Sequence, residues 1–119
     1  MTGFDIYSTA QATMFVDTGK NVADERFTVR HLNTVLQELL PLENNLREAE
    51  GMELLPAAPI IQSLDVEIPY RDSITRGCIP YALAALYQQD ELDNYQAERY
   101  HNLYLMACDN AKKGIWVNV

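Results

Sequence analysis

Residues 68–107 read IPYRDSITRGCIPYALAALYQQDELDNYQAERYHNLYLMA. Two helical patterns meet there across a short acidic turn at 88–93. In the first, Ile74, Cys78, Tyr81, Ala82, Ala85 and Leu86 recur with a period near 3.6, the mark of one apolar helix face. Gly77, Ala82, Ala84 and Ala85 are small enough to let a second helix come close. Asp72 stands where an N-cap is expected, with Pro69 just ahead of it. Pro80 lies inside the pattern. It has no N–H to donate and its ring crowds the preceding turn, so a kink or a wider turn is expected near Arg76. The second pattern runs from about Leu92 to Lys113, with Leu92, Tyr95, Arg99 or Tyr100, Leu103, Met106, Ala107 and Ala111 expected inward. Lys112 and Lys113 suit the negative end of a helix dipole, and Gly114 is a natural stop. Asp90, Glu91 and Asp93 read as a capping cluster, with Asp90 or Glu91 nearest the cap.

Upstream of this hairpin the pattern is again helical. Phe4, Tyr7, Ala10 or Gln11, Met14 and Phe15 mark a first helix over 4–16, with Thr2 as its cap and a turn at 17–21. A second helix is expected from Asp24, with an apolar stripe of Phe27, Leu32, Val35, Leu36, Leu39, Leu40 and Leu46. Arg30, Asn33, Gln37 and Glu38 form the opposite, polar face. Pro41 interrupts the stripe and should kink or end the helix there. Residues 52–69 change character. Pro56, Pro59 and Pro69 oppose a helix, and Leu64, Val66 and Ile68 alternate with Asp65 and Glu67 at the two-residue period of a half-buried strand. An isolated strand is marginal in water, so this segment should pair with something, a neighbouring subunit being one candidate. The fold class that follows is mainly α: a single domain over 1–119, a small bundle of about four helices with an extended loop or hairpin at 52–69.

The chain has 119 residues, 48% of them hydrophobic and 22% charged, an ordinary balance for one globular domain. A formal net charge of -8 argues against a basic nucleic-acid-binding face and against adsorption to anionic membranes. No apolar run reaches the length of a membrane span. The first ten residues lack the basic and apolar regions of a signal peptide, so synthesis in the cytoplasm of the producing cell is expected.

Chemistry-bearing patterns are few. Cys78 and Cys108 sit in apolar helical contexts and read as buried reduced thiols, although the pairing of their helices makes a bridge conceivable. His101 and Cys108 are seven apart, too distant along one helix to share a metal, and His31 stands alone. No phosphate loop, zinc-protease motif or nucleophile elbow is present. No catalytic, cofactor-binding or metal residue is therefore assigned, and a non-enzymatic role is expected. Tyr81, Tyr87, Tyr95, Tyr100 and Tyr104 cluster on the last two helices. Tyr95 and Tyr100 are expected to face the third helix, and Tyr87 and Tyr104 to look outward. That makes either a core with its rim or a tyrosine-rich subunit contact. The apolar tail at 115–119 holds the only tryptophan and reads as a docking element for the chain's own core or for a partner.

Several short motifs recur together: Pro59-Ile60-Ile61, Leu64-Asp65-Val66-Glu67-Ile68-Pro69-Tyr70, Leu83-Ala84-Ala85-Leu86 and Ala97-Glu98-Arg99-Tyr100. Their order over roughly 55–110, and more weakly the first helix, resembles the head-to-tail adaptor (connector) proteins of tailed bacteriophages. Ala82 stands where that family usually has glycine. The resemblance implies a subunit of a ring of twelve beneath the portal protein, in the neck of the virion. Such a ring contacts tail or tail-completion proteins and continues the channel through which genomic DNA passes without sequence-specific binding. On that reading Ile60, Ile61, Leu64, Val66, Ile68, Tyr87, Tyr104, Ile115, Trp116 and Val117 are the expected contact surface. Glu43, Glu48, Glu50 and Glu53 are the expected acidic lining of the channel, which would repel phosphate. Two other classes remain open at this point. One is a small acidic protein that binds and inhibits or regulates a host protein. The other, ranked last, is a small helical enzyme.

Overall fold

The computed structural model describes residues 1–14 and 25–113. Among these the chain is helical, with no strand: α1 (Gly3–Thr13), α2 (Glu25–Ala49), the single turn α3 (Asp72–Thr75), α4 (Ile79–Asp90) and α5 (Asn94–Lys112). The mainly α bundle expected from periodicity is thus the fold observed. Helix α4 is central, packing against α5, α1 and α2.

Helix α1 begins with a capping box. Thr2 Oγ1 accepts from Asp5 N at 3.1 Å, and Asp5 Oδ2 accepts from Thr2 N at the same distance. Its buried stripe is Gly3, Ile6, Tyr7, Ala10 and Gln11, so Ile6 rather than the exposed Phe4 leads the inward face. A Cβ on Gly3 would come within 3.3 Å of Leu32 and Leu64, which is why this stripe starts with glycine. The turn expected at 17–21 and the Asp24 cap lie outside the described residues.

Helix α2 buries Leu32, Val35, Leu36 and Leu39, as the stripe predicts, but Phe27 is exposed. The helix also runs without interruption through Pro41, against expectation. A mid-helix proline costs about 3 kcal/mol. Here Pro41 faces solvent, Leu36 and Leu39 anchor the helix before it, and Glu43, Asn44 and Arg47 are tied to other segments after it. Tertiary contacts on both flanks outweigh the local penalty.

The break near Arg76 is present. Helix α3 ends at Thr75, and Pro80 sits in the first turn of α4, where no N–H is required of it. The cap differs from expectation: Arg71 is the N-cap of α3 and Asp72 the first helical residue. At the next turn Asp93, not Asp90 or Glu91, caps α5, its side chain accepting from Gln96 N at 3.1 Å. Asp90 is instead the last residue of α4 and pairs with His31 at 2.9 Å.

The phase of α5 also differs. Tyr100, Tyr104 and Ala111 are buried, whereas Leu92, Tyr95 and Met106, expected inward, are exposed. Tyr104, expected outward, donates to Glu38 Oε1 at 2.8 Å. A stripe of Tyr100, Tyr104, Ala107, Cys108 and Ala111 fits the helical period as well as the expected set. The choice between the two falls to packing against α4, which presents Ala82, Ala84 and Ala85 for large rings to cover.

The 52–69 segment is irregular and forms neither a strand nor a hairpin: it bends at 56–57 and 62–63 and turns at 64–65, so the half-buried strand expected from Leu64, Val66 and Ile68 is absent and Val66 is exposed. A single antiparallel bridge joins Thr2 to Glu67, and Gly3 N, Phe4 N and Ile68 N bond Val66 O, Leu64 O and Met1 O at 3.2, 2.8 and 2.9 Å. The partner that the alternation called for is therefore the start of the same chain.

Candidate functional site

Three features carry polar or reactive groups. The first surrounds Glu43, which is only 1% exposed. Its carboxylate accepts from Arg47 Nε at 2.6 Å and Arg71 N at 2.9 Å, and Arg71 Nε lies 3.4 Å away. Arg71 also pairs with Glu50 at 2.6 Å. Arg47 reaches on to Glu53 O at 3.1 Å and Pro69 O at 2.8 Å. One buried carboxylate thus holds two arginines, and one of them, Arg47, holds both ends of the 52–69 segment. Next to it, the Tyr70 hydroxyl donates to Leu36 O. Burial, and after it the Glu43 charge, push that phenol up to about 12.

The second feature is how the extended segment is held along its length. Asn33 donates to Ile61 O at 2.9 Å and accepts from Ile61 N at 2.8 Å. Asn44 treats Leu55 the same way, at 3.0 and 2.9 Å. Each amide side chain satisfies one residue's N–H and C=O, as a neighbouring strand would. The segment is fastened in this way while Met52, Leu54, Ile60 and Val66 stay exposed.

The third is the pair of thiols between α4 and α5. Both cysteines are free, Cys78 buried, with its thiol donating to Ser73 O at 3.6 Å, and Cys108 half-buried. Interaction with Cys108 and burial hold the Cys78 thiol up, and interaction with Cys78 holds Cys108 below the usual thiol value. No histidine activates either one: His31 is engaged with Asp90, and His101 lies beside the Tyr104 ring. Among the described residues no three His, Cys, Asp or Glu side chains are arranged to hold a metal. A cleft of about 410 Å³ lies between α1, α2 and α4, with Tyr7, Gln11, Leu83 and Tyr87 on its walls and the His31–Asp90 pair at its edge.

The residues expected at contacts are therefore divided. Ile61, Leu64, Ile68 and Tyr104 are buried in the chain's own core and are not free surface. Tyr87 is half-buried and faces the cleft. Ile60 and Val66 are exposed. Ile115, Trp116 and Val117 lie outside the described residues. Of the expected channel lining, Glu43 is excluded by its burial beneath Arg47 and Arg71. Glu48, Glu50 and Glu53 are exposed near the end of α2. The roles of Asn33 and Asn44 left no mark in the sequence beyond polarity, because their partners are backbone atoms, whereas the Glu43–Arg47 spacing of four was a readable helical pair. Among the described residues no helix is long and apolar enough to cross a membrane. No protein-family model matches the chain, and neither a curated protein nor a solved structure matches it.

Proposed function

We propose that this chain is a structural subunit of a phage virion. It assembles into a ring, twelve-fold in the arrangement its motifs resemble, that joins the portal protein to the tail and continues the DNA channel. The observation that carries the reading is the 52–69 segment. Asn33, Asn44 and Arg47 hold it in place, yet it presents Met52, Leu54, Ile60 and Val66 to solvent. Ordered backbone carrying exposed apolar side chains suits a surface that is covered on assembly. The acidic balance and the exposed Glu48, Glu50 and Glu53 suit a wall past which DNA slides without adhering.

The test is the native mass of the purified chain, alone and with portal rings or portal-containing particles. A ring, or stoichiometric binding to the portal, is expected. A monomer that ignores the portal would sink the reading in favour of an acidic protein that binds a host protein. A ring whose lumen is basic would remove the glutamates from the channel.

A further inference from the structure

Helices α4 and α5 are joined by a short turn and pack against each other antiparallel, so their facing residues can be followed outward from that turn. Ala84 and Ala85 pack with Tyr100. One turn further out, Ala82 and Tyr104 line a shared groove. The next step along each helix brings Cys78, the N-cap of α4, opposite Cys108. Cys108 packs against the core cluster that contains Cys78, and the two thiols interact with each other and with the Tyr104 phenol.

The two cysteines sit on parts of the fold that are held very differently. Cys78 is buried at the junction of α3 and α4, where its N–H donates to Ile74 O at 3.0 Å and its thiol to Ser73 O at 3.6 Å. Cys108 lies on the last turns of α5. Beyond Tyr104 the inward residues there are Ala107, Cys108 and Ala111, while Leu105, Met106, Asp109, Lys112 and Lys113 are exposed. Small side chains remove little apolar area from water, so packing restrains these turns weakly. Among the described residues their one ion pair, Lys113 with Asp109 at 2.9 Å, lies within the helix and ties it to nothing else.

We infer that Cys78 and Cys108 form a redox clasp, which when oxidised fastens the last turns of α5 to the α3–α4 junction and when reduced leaves them free to open. The clasp is independent of the assembly reading. Its oxidant is a low-molecular-weight disulfide. The Cys108 thiolate attacks one sulfur of that disulfide, whose S–S bond breaks and releases one small thiolate. Cys78 then loses its proton, leaves Ser73 O and attacks the Cys108 sulfur, which forms the bridge and expels the second small thiolate. The protons from the two cysteines end on the two released thiols. Two electrons pass from the protein to the small disulfide.

The experiment uses the full chain, reduced or treated with glutathione disulfide, and needs no substitution. Intact mass and peptide mapping are expected to show an intramolecular bridge with loss of both free thiols. Hydrogen exchange is then compared in residues 105–113 and in 94–103 of the same helix. Bridging also constrains the unfolded chain, so a higher melting point would not locate the effect, whereas local exchange does. Oxidation is expected to slow exchange severalfold in 105–113 and much less in 94–103, and a dithiol reductant should reverse this. Cys78→Ala and Cys108→Ala, with folding checked by circular dichroism, should show no such slowing with the same oxidant. A mixed disulfide that persists, or a bridge between two chains, overturns the clasp. An intramolecular bridge that leaves exchange in 105–113 unchanged, or slows both segments equally, overturns its hold on the end of α5.

Discussion

Asn44 holds Leu55 by both of its backbone groups: Oδ1 accepts from Leu55 N at 2.9 Å and Nδ2 donates to Leu55 O at 3.0 Å. Replacing Asn44 with Ala leaves both groups without that partner in a partly buried site. An unmet buried polar group costs about 1–3 kcal/mol. Asn44→Ala should therefore lower stability by about 2 kcal/mol, and 52–60 should become a preferred cleavage site in limited proteolysis. Unchanged proteolysis would show that Arg47 alone holds the loop.

Glu43 is the shared acceptor of Arg47 and Arg71. Without it Arg47 keeps Glu53 O and Pro69 O and Arg71 keeps Glu50, so the loss is that of hydrogen bonds to a charged group, about 1.5–3 kcal/mol, rather than of a fully stranded charge. Glu43→Ala should fall in that range in denaturant unfolding, while Glu48→Ala, at an exposed position, should change stability by less than about 0.5 kcal/mol.

Pro41 lies inside an uninterrupted helix and faces solvent. Pro41→Ala adds a backbone donor and a better helix former without touching the core. Thermal unfolding should show a gain of about 1–3 kcal/mol, the upper figure being the full penalty of an interior proline. A loss of stability would mean that the ring of Pro41 packs productively.

Tyr70 gives a pH dependence of definite sign. Its phenol titrates near 10 when unfolded and about 12 when folded, so the folded state favours the protonated form. Its contribution is fully present below pH 10 and is lost as pH rises through the window from about 10 to about 12. Tyr70→Phe should flatten that part of the alkaline stability curve. At neutral pH it should cost about 1 kcal/mol for the lost bond to Leu36 O.

Cys78 is buried and Cys108 only half-buried, and this difference predicts an ordered chemistry. Cys108 is half-buried and held low, so iodoacetamide should label it well before Cys78. A low-molecular-weight disulfide should convert the pair to an intramolecular bridge, with release of two equivalents of the small thiol and loss of both free thiols. Equal labelling rates would contradict the difference in exposure, and a persistent mixed disulfide would show that the two thiols do not reach one another.

Helical periodicity determined most of the architecture. The α2 stripe at Leu32, Val35, Leu36 and Leu39, the capping residue Thr2 and the break ahead of Pro80 all rest on forces within one turn of chain, so they are legible residue by residue. The phase of α5 was not legible, because Tyr95 and Tyr104 have the same chemistry and only the alanines of α4 decide which is covered. The same is true of Pro41, where distant contacts on both flanks overrule a local penalty, and of Glu43, whose burial depends on arginines that lie 4 and 28 positions away. Interactions between neighbours in sequence can be read from the chain. A buried charge, a side chain gripping backbone, and the side of a helix that faces water are set by what folding brings together.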